Sequence, residues 1–249
     1  MMKKYIYIII ILFYSNLLAQ NSTPLELSAD LTGNKIIDYY LKGIGGEKKL
    51  KKIKTLQKVF KSHIFNTPDL GATVKVLYKT PHLYAFKLEI PEIGEIESTK
   101  YNGETCIVER NYNNQKTIRQ IEGELLRQKI YTFHMFPILG LKNNNTVFTL
   151  IGIIEEEDQK FYQVKVESDI TSTVFLFFHI ENFLLSSKKI IENKTIRTTQ
   201  FTDYRKISGI WFPFTEITTI EFNGNIGQKT IKNMIEIKFN ETLTIDQFQ

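Results

Sequence analysis

Alternation of apolar and polar residues at a period of two runs through most of the chain and predicts β-strands. In "ATVKVLYK" the side chains of Val74, Val76 and Tyr78 fall on one face, and "LYAFKLEI" repeats the pattern. The segments "KFYQVKVES", "KTIRTTQFTDY", "TEITTIEF" and "KTIKNMIEIKF" follow the same alternation. Turn-forming stretches such as "NTPDLG" and "KTPH" separate neighbouring strands. The pattern therefore predicts a long antiparallel meander and not a series of βαβ units.

A glycine-rich corner interrupts the first of two helical segments. Helical spacing begins near Asn34, a suitable N-cap, stops at Gly43 and resumes at Glu47. The corner "KGIGGEKK" lacks the preceding strand, the glycine spacing and the hydroxyl residue of a phosphate-binding loop. We therefore predict a hinge between two short helices, at which Gly43 or Gly45 is left-handed. The lysines after it are expected to face solvent, with contact to anionic lipid headgroups as the alternative.

The second helical segment runs from Glu122 to Leu141. Its apolar stripe is formed by Leu125, Leu126 and Ile130. Because proline cannot continue a helix, we expect Pro137 and Gly140 to end this segment.

One predicted strand, "STVFLFFHI", breaks the simple alternation. It places Val174, Leu176 and Phe178 on one side and Phe175 and Phe177 on the other. A sheet with one wet face should not carry phenylalanines on both sides. Two interpretations remain open: a central strand covered on both faces, or a strand of which one face lines an apolar cavity.

The first residues of the chain have the pattern of a signal peptide. Lys3 and Lys4 form a positive region, Tyr5–Leu18 is almost entirely apolar, and Ala19 supplies a small residue for cleavage. The apolar run is shorter than the roughly 20 residues of a spanning helix, although an uncleaved anchor remains the alternative. No cysteine follows it, so the sequence has no lipobox. We expect 1–20 to be removed and the protein to be exported to the periplasm.

The rest of the chain, 21–249, contains no linker, charge block or internal repeat, and we expect a single domain. Cys106 is the single cysteine, which excludes an internal disulfide. The formal net charge is +5, and it falls to +3 without Lys3 and Lys4. Such a mild excess of positive charge does not indicate a nucleic-acid-binding protein.

The sequence carries no recognisable catalytic or metal-binding motif. The four histidines, His63, His82, His134 and His179, are scattered without metal-ligand spacing. There is no G-x-S-x-G elbow, and Cys106 lies in a strand-like segment where buried packing is expected. The acidic run "EEED" is typical of a solvated turn. We therefore predict a protein that is not an enzyme and needs neither a metal nor a cofactor.

Several segments, taken in order, resemble the exported LolA-like proteins of the outer-membrane lipoprotein-sorting family. They are "NKIIDYYLKGIGGEKKLKKIKTL", "LYAFKLEI", "KYNGETCIV", "FFHIENFLLSSKKI", "FTDYRKISGIWFPFTE" and "TIDQFQ". The resemblance is colinear over the mature chain. Two departures are Cys106, where an aromatic residue is common, and Glu181-Asn182, where the turn usually contains aspartate.

The resemblance implies a mainly β fold of the LolA and LppX type. Such a fold is a strongly curved, incompletely closed antiparallel half-barrel, with a few helices over its concave face. It also implies a carrier or chaperone that buries acyl chains of lipids or lipoproteins in the concavity. A sensor or structural binding module of the cell envelope is the alternative. We expect a monomer with an envelope membrane protein as a further partner and no nucleic acid.

Candidate ligand-contacting residues follow from the apolar faces combined with this implied fold. The concave lining is predicted to include Tyr84, Phe86, Leu88, Phe175 and Phe177. The lid is predicted to include Leu125, Ile130, Phe133, Met135, Phe136 and Leu139. For each residue alone, ordinary core packing is the competing interpretation.

Overall fold

The structure is a computed structural model, and it describes residues 30–64, 67–112, 115–144, 146–167 and 172–249. The predicted signal peptide lies outside these residues. Four short helices accompany the strands: α1 (Gly33–Gly43), α2 (Glu47–Leu50), α3 (Gly123–Ile130) and α4 (Pro137–Asn143). Within the described ranges, no helix is long and apolar enough to cross a membrane.

Thirteen antiparallel strands form a single sheet. They are β1 (Thr55–Ile64), β2 (Thr67–Lys79), β3 (Leu83–Ile90), β4 (Gly94–Tyr101), β5 (Cys106–Tyr112), β6 (Gln115–Ile121), β7 (Val147–Glu156), β8 (Gln159–Glu167), β9 (Thr173–His179), β10 (Leu185–Glu192), β11 (Thr195–Ile207), β12 (Ile210–Phe222) and β13 (Asn225–Phe239). The predicted antiparallel meander is confirmed.

The strands are added to the sheet in two consecutive series along the chain. Strands β1 to β6 lead outward to one edge, the α3 and α4 region crosses over, and β7 to β13 return from the other edge until β13 pairs with β1. No pairing joins the edge strands β6 and β7 in the described part of the sheet. The sheet is therefore not closed into a barrel, as the resemblance implied.

The sheet curves around the helices. Val76 of β2 and Val164 of β8 belong to one buried cluster, which we call the main core, although six strands lie between β2 and β8. A flat sheet would separate those two strands by about 34 Å at a strand spacing of about 4.8 Å. Buried residues of α1, α2 and α4, including Leu41 and Leu139, fill the same cluster. We call the face that carries the main core the concave face.

Local sequence explains how α1 and α2 form. Thr32, and not the expected Asn34, is the N-cap of α1, because its extended backbone lets its side-chain oxygen accept from the Lys35 N–H at 3.3 Å. Gly45 has a φ of +143° after the helix, and the Gly46 N–H donates to the Leu41 carbonyl at 2.9 Å. The prediction of a glycine hinge between two short helices is thus confirmed, with Gly45 and not Gly43 in the positive-φ conformation.

The α1–α2 corner packs on the turn between β11 and β12. The Trp211 N–H donates to the Ile44 carbonyl at 2.9 Å. The Lys49 ammonium donates to the Gly209 carbonyl at 3.4 Å. A Cβ on Gly45 would lie 3.1 Å from the Gly209 carbonyl oxygen, so glycine permits this close approach.

The second helical segment is divided. A 3₁₀ turn at Tyr131–Phe133 follows α3, and α4 then begins at Pro137. The expectation that Pro137 ends a helix was wrong: proline occupies the first turn of α4, where its missing N–H costs nothing. Gly140 lies inside α4 and faces the His134 ring.

Candidate binding cavity on the concave face

A cavity of about 560 Å³ lies between the concave face of β3–β6 and the segment from α3 to Phe133. Its apolar lining consists of Tyr84, Phe86, Val108, Ile121, Leu125 and Phe133. Its polar lining consists of Glu97, Thr99, Arg110, Thr117, Arg119, Lys129 and Thr132. On the side of β6 the cavity is open, because every residue of that strand except Ile121 is exposed.

The strand register arranges the lining in three rows, because directly paired residues share a face. The first row crosses β3 to β6 as Tyr84, Tyr101, Cys106 and Ile121. The second row is Phe86, Thr99, Val108 and Arg119. The third row is Leu88, Glu97, Arg110 and Thr117. The wall therefore changes from apolar to charged along the strands.

The apolar end of the cavity is closed by aromatic packing. The Phe133 ring is stacked on Tyr84, with centroids 4.6 Å apart, and is tilted against Tyr101 at 5.1 Å. Burial raises the pKa of the Tyr84 phenol well above its usual value, so the ring is neutral at physiological pH. Cys106 is fully buried there, as predicted, and burial raises the pKa of its thiol.

The polar lining of the cavity carries an excess of positive charge. The Arg110 Nε lies 3.0 Å from a carboxylate oxygen of Glu97, which neutralises one of the cations. Arg119 and Lys129 also line the cavity and are exposed. We call Arg110, Arg119 and Lys129 the cationic rim. The exposed cations of the rim thus border the apolar part of the cavity lining.

The predicted lining residues divide between the two faces of the sheet. Tyr84 and Phe86 line the cavity. Leu88 lies on the same face and packs against the main core. Phe175 and Phe177 pair with Lys189 and Ser187, so they lie on the convex face, whereas Val174, Leu176 and Phe178 enter the main core. The structure thus brings Tyr84 and Phe86 together and does not bring Phe175 and Phe177 to them.

The predicted lid residues also separate. Leu125 and Phe133 line the cavity, whereas the Ile130 side chain is 41% exposed. The remaining three, Met135, Phe136 and Leu139, are buried in the main core.

The α4 end of this segment is anchored. The Lys142 ammonium lies 2.5 Å from carboxylate oxygens of both Asp38 and Glu47, which joins α4 to α1 and α2. These contacts lower the pKa of Glu47 and raise that of Lys142. The main-core and ion-pair contacts fix α4 against α1 and α2.

Sequence reasoning missed the polar half of the cavity. Glu97, Arg110 and Arg119 were not among the predicted lining residues. A signal was present, because Val108 and Arg110 have the same parity in β5, and such a pair on one face indicates an amphipathic wall.

The described residues contain no group of three or more His, Cys, Asp or Glu side chains that could hold a metal ion. The His134 Nδ1 accepts from the Phe136 N–H at 3.0 Å, and burial lowers the pKa of this histidine. The geometry gives His134 a role in shaping the turn before α4.

Neither a family model nor a curated protein matches the sequence. Solved structures do match the fold. A LolA superfamily protein from Nitrosomonas europaea has a TM-score of 0.56 at 12% identity, over 88% of this chain and 98% of that one. A DUF1329 family protein from Desulfovibrio piger has a TM-score of 0.57 at 11% identity, over 87% and 97% of the two chains.

A third structure is a domain from Vibrio parahaemolyticus described as an outer membrane lipoprotein-sorting protein. It has a TM-score of 0.56 at 11% identity, over 87% of this chain and 95% of that one. At such low identity the likeness concerns the fold alone. Together with the open, curved thirteen-stranded sheet, it shows that this chain has the LolA-like fold.

Proposed function

We propose that the protein is a periplasmic carrier or chaperone that holds acyl chains of a lipid or lipidated protein in the cavity of β3–β6. The observation that carries the proposal is the partly apolar cavity on the concave face of a LolA-like sheet. The likeness to a lipoprotein-sorting domain supports the same role. The role is non-catalytic, and the predicted signal peptide provides the route to the periplasm.

The energetics favour an enclosed site for such a ligand. Exposing an acyl chain of about sixteen carbons to water costs roughly 12 kcal/mol, at about 0.8 kcal/mol per CH₂. A cavity of about 560 Å³ lies within the size range of small-ligand sites. The remaining length of a long chain would extend through the open side at β6, where Thr117 and Arg119 border the entrance.

Release requires part of the wall to move, and α3 is the part that fits this role. Leu125 and Phe133 cover the cavity from α3 and from the turn that follows it. Because α4 is fixed in the main core, we propose that α3 opens about the Tyr131–Phe133 turn. An envelope membrane protein that received the cargo would contact the exposed side of α3, where Ile130 is accessible.

The experiment that tests this function is the binding of a fluorescent fatty acid to the purified mature protein. We expect saturable uptake by the wild type, together with co-purifying lipid in native mass spectrometry. Val108→Trp should reduce uptake at least about tenfold, because an indole on the concave face of β5 fills the cavity.

The matched control is Ile107→Trp. Ile107 is the neighbouring residue of β5, is also half-buried, and points to the convex face. Uptake by this variant should equal that of the wild type, and circular dichroism would verify that both variants fold. An empty wild-type protein that takes up no fatty acid would overturn the carrier role, and equal effects of both substitutions would overturn the assignment of the cavity.

A further inference from the structure

Three lysines lie on the concave face in the middle of the sheet, away from the cationic rim. Lys58 belongs to β1, Lys188 to β10 and Lys232 to β13. The register places Lys58 opposite Val76, and Lys188 opposite Leu176. Both partners are buried in the main core, so these ammonium groups point into the concavity and not to the outer surface.

One carboxylate lies among these lysines. The Lys232 ammonium is 2.7 Å from a carboxylate oxygen of Glu216, and these side chains are only 29% and 17% exposed. Lys58 and Lys188 each interact electrostatically with both Glu216 and Lys232. The four charges therefore occupy one neighbourhood, in which three cations face a single anion. Arg197 adds a further positive charge beside Lys188.

Two of the three lysines have no anionic partner of their own. In the part of the chain that the structure describes, neither Lys58 nor Lys188 forms an ion pair with a carboxylate. Lys58 instead lies over the rings of Phe212 and Tyr78, at 5.3 Å and 5.9 Å from their centroids. Burial lowers the pKa of both lysines. Half-buried cations that share a single carboxylate are costly, and a bound anion would lower that cost.

Hydroxyl groups accompany the unpaired charges. A row of directly paired polar residues crosses the sheet from β10 to β13. It consists of Lys188, Thr199, Thr218 and Thr230, one from each strand in turn. The Thr199 and Thr218 hydroxyl oxygens are 3.1 Å apart. An anion beside Lys188 would thus meet hydroxyl donors as well as an ammonium group, which is the chemistry that carboxylate and phosphate oxygens require.

The lysines are continuous with the proposed acyl cavity. Phe86, Val76 and Lys58 are directly paired across β3, β2 and β1, so one row of the concave face leads from the cavity to the first lysine. The strand spacing places Phe86 and Lys58 about 10 Å apart at the backbone. A ligand with its chain against Phe86 could therefore reach Lys58 with its headgroup.

We propose that Lys58, Lys188 and Lys232 form an anion-binding site on the concave face, which takes the carboxylate or phosphate headgroup of an amphiphile. This inference rests on the proposed function, since it assigns the headgroup of the same ligand. Glu216 holds Lys232 in place. The cargo is accordingly an anionic lipid, and a neutral lipid of the same chain length binds less tightly.

The test compares palmitate with hexadecanol, which has the same chain length and no charge. Wild-type protein should bind palmitate at least about tenfold more tightly, the difference expected for one well-placed charge-assisted contact. The variants Lys58→Met and Lys188→Met should lose this preference and keep their affinity for hexadecanol. Removing a buried charge while keeping side-chain volume is compatible with folding, and thermal unfolding would verify it.

Matched controls lie next to the lysines on the same strands. Lys61→Met on β1 and Lys189→Met on β10 remove a lysine from the convex face and should leave the preference unchanged. Arg119→Met tests the cationic rim. If that variant alone abolishes the preference, the headgroup binds at the rim and the inference is overturned.

The remaining outcomes separate this inference from the proposed function. Equal binding of palmitate and hexadecanol by the wild type would overturn the anion site and leave the acyl carrier intact. If the wild type bound neither compound, both the anion site and the acyl carrier would be overturned. The exception is a protein that binds inorganic phosphate and loses that binding in Lys58→Met. In that case the site is an anion site whose ligand is a free anion, and only the amphiphile assignment and the carrier role fail.

Discussion

Gly33 provides a sharp test of how α1 is seated on the sheet. A Cβ built on this residue would lie 2.2 Å from the carbonyl oxygen of Phe148 in β7 and 3.0 Å from the backbone nitrogen of Leu150. A carbon–oxygen contact needs about 3.3 Å, so Gly33→Ala requires a separation of about 1 Å between helix and strand. Both partners are backbone atoms, and no side-chain rotation can relieve the overlap.

The cost of this separation follows from the packing of α1. Inserting one methyl group into a tight backbone contact costs about 1–3 kcal/mol. The helix also carries Ile36, Ile37 and Leu41, which are 0%, 0% and 1% exposed. A radial gap of about 0.5–1 Å forfeits a quarter to a half of their dispersion contacts. Alanine is favoured in helices by at most about 1 kcal/mol, so we expect a net loss of about 2–4 kcal/mol.

The same helix supplies the control. Gly43 ends α1, and a Cβ there would meet only the Asn182 carbonyl oxygen at 3.7 Å, an ordinary contact. Gly43→Ala should therefore stabilise the protein by up to about 1 kcal/mol. The two substitutions are chemically identical, lie on one helix, and are expected to change stability in opposite directions.

Urea unfolding followed by the fluorescence of Trp211 would measure both changes. This residue is the only tryptophan in the chain, and its N–H donates to the Ile44 carbonyl just after α1. The signal therefore reports directly on the docking of the helix. If Gly33→Ala were as stable as the wild type, or matched Gly43→Ala, the close contact between α1 and β7 would be refuted.

Three further changes test other parts of the molecule. Gly140→Ala should cost about 1–2 kcal/mol in urea unfolding, since its Cβ would lie 2.7 Å from the His134 ring and 2.9 Å from the His134 Cβ. In a His134→Gly background, which removes both atoms, the same change should cost less, and additivity of the two substitutions would contradict the contact. Phe133→Ala should cost about 3–5 kcal/mol, because it removes a buried ring stacked on Tyr84; a loss below about 1 kcal/mol would show that the apolar end is not packed as described. The lowered pKa of Lys58 means that its folded state binds fewer protons than its unfolded state between the two pKa values. The free energy of unfolding of the wild type should therefore rise relative to that of Lys58→Met as the pH increases toward the ordinary lysine pKa of about 10.4. Chemical denaturation of both proteins between pH 7 and pH 10 would measure this. A constant difference between their free energies of unfolding would contradict the lowered pKa.

The local pattern of apolar and polar residues was sufficient to predict the strands and helices that bury one face. The alternation that groups Val74, Val76 and Tyr78 correctly predicted their common face, because strand geometry alone decides which side chains point together. The helical hinge was predicted for the same reason, since positive φ at Gly45 is a local requirement. These features depend on a few neighbouring residues and can be derived without tertiary structure.

The position of the cavity depends on contacts that local pattern does not specify. Phe175 and Phe177 are as apolar as Tyr84 and Phe86, but the side of β9 that the helices cover is decided by Val174 and its neighbours. In β1 the side chains of Leu56, Lys58 and Phe60 alternate onto the same face of the sheet. Lys58 is therefore a lysine on an otherwise apolar face. A charge at such a position is the signal that sequence reasoning could have used, because it conflicts with the rest of its own strand.

The two cationic regions differ in their exposure to solvent, and this difference determines how each would respond to salt. Arg110 in the cationic rim is 65% exposed, so an anion bound there would be screened as ionic strength rises. Lys232 and Glu216 are largely shielded by the concave face, and charges in that environment are screened much less. A preference for palmitate over hexadecanol that persists at about 1 M salt, where the Debye length is about 3 Å, would place the headgroup among the inner lysines. A preference that disappears between low and high salt would place it at the rim, because a solvent-exposed pair contributes little once counterions compete for it.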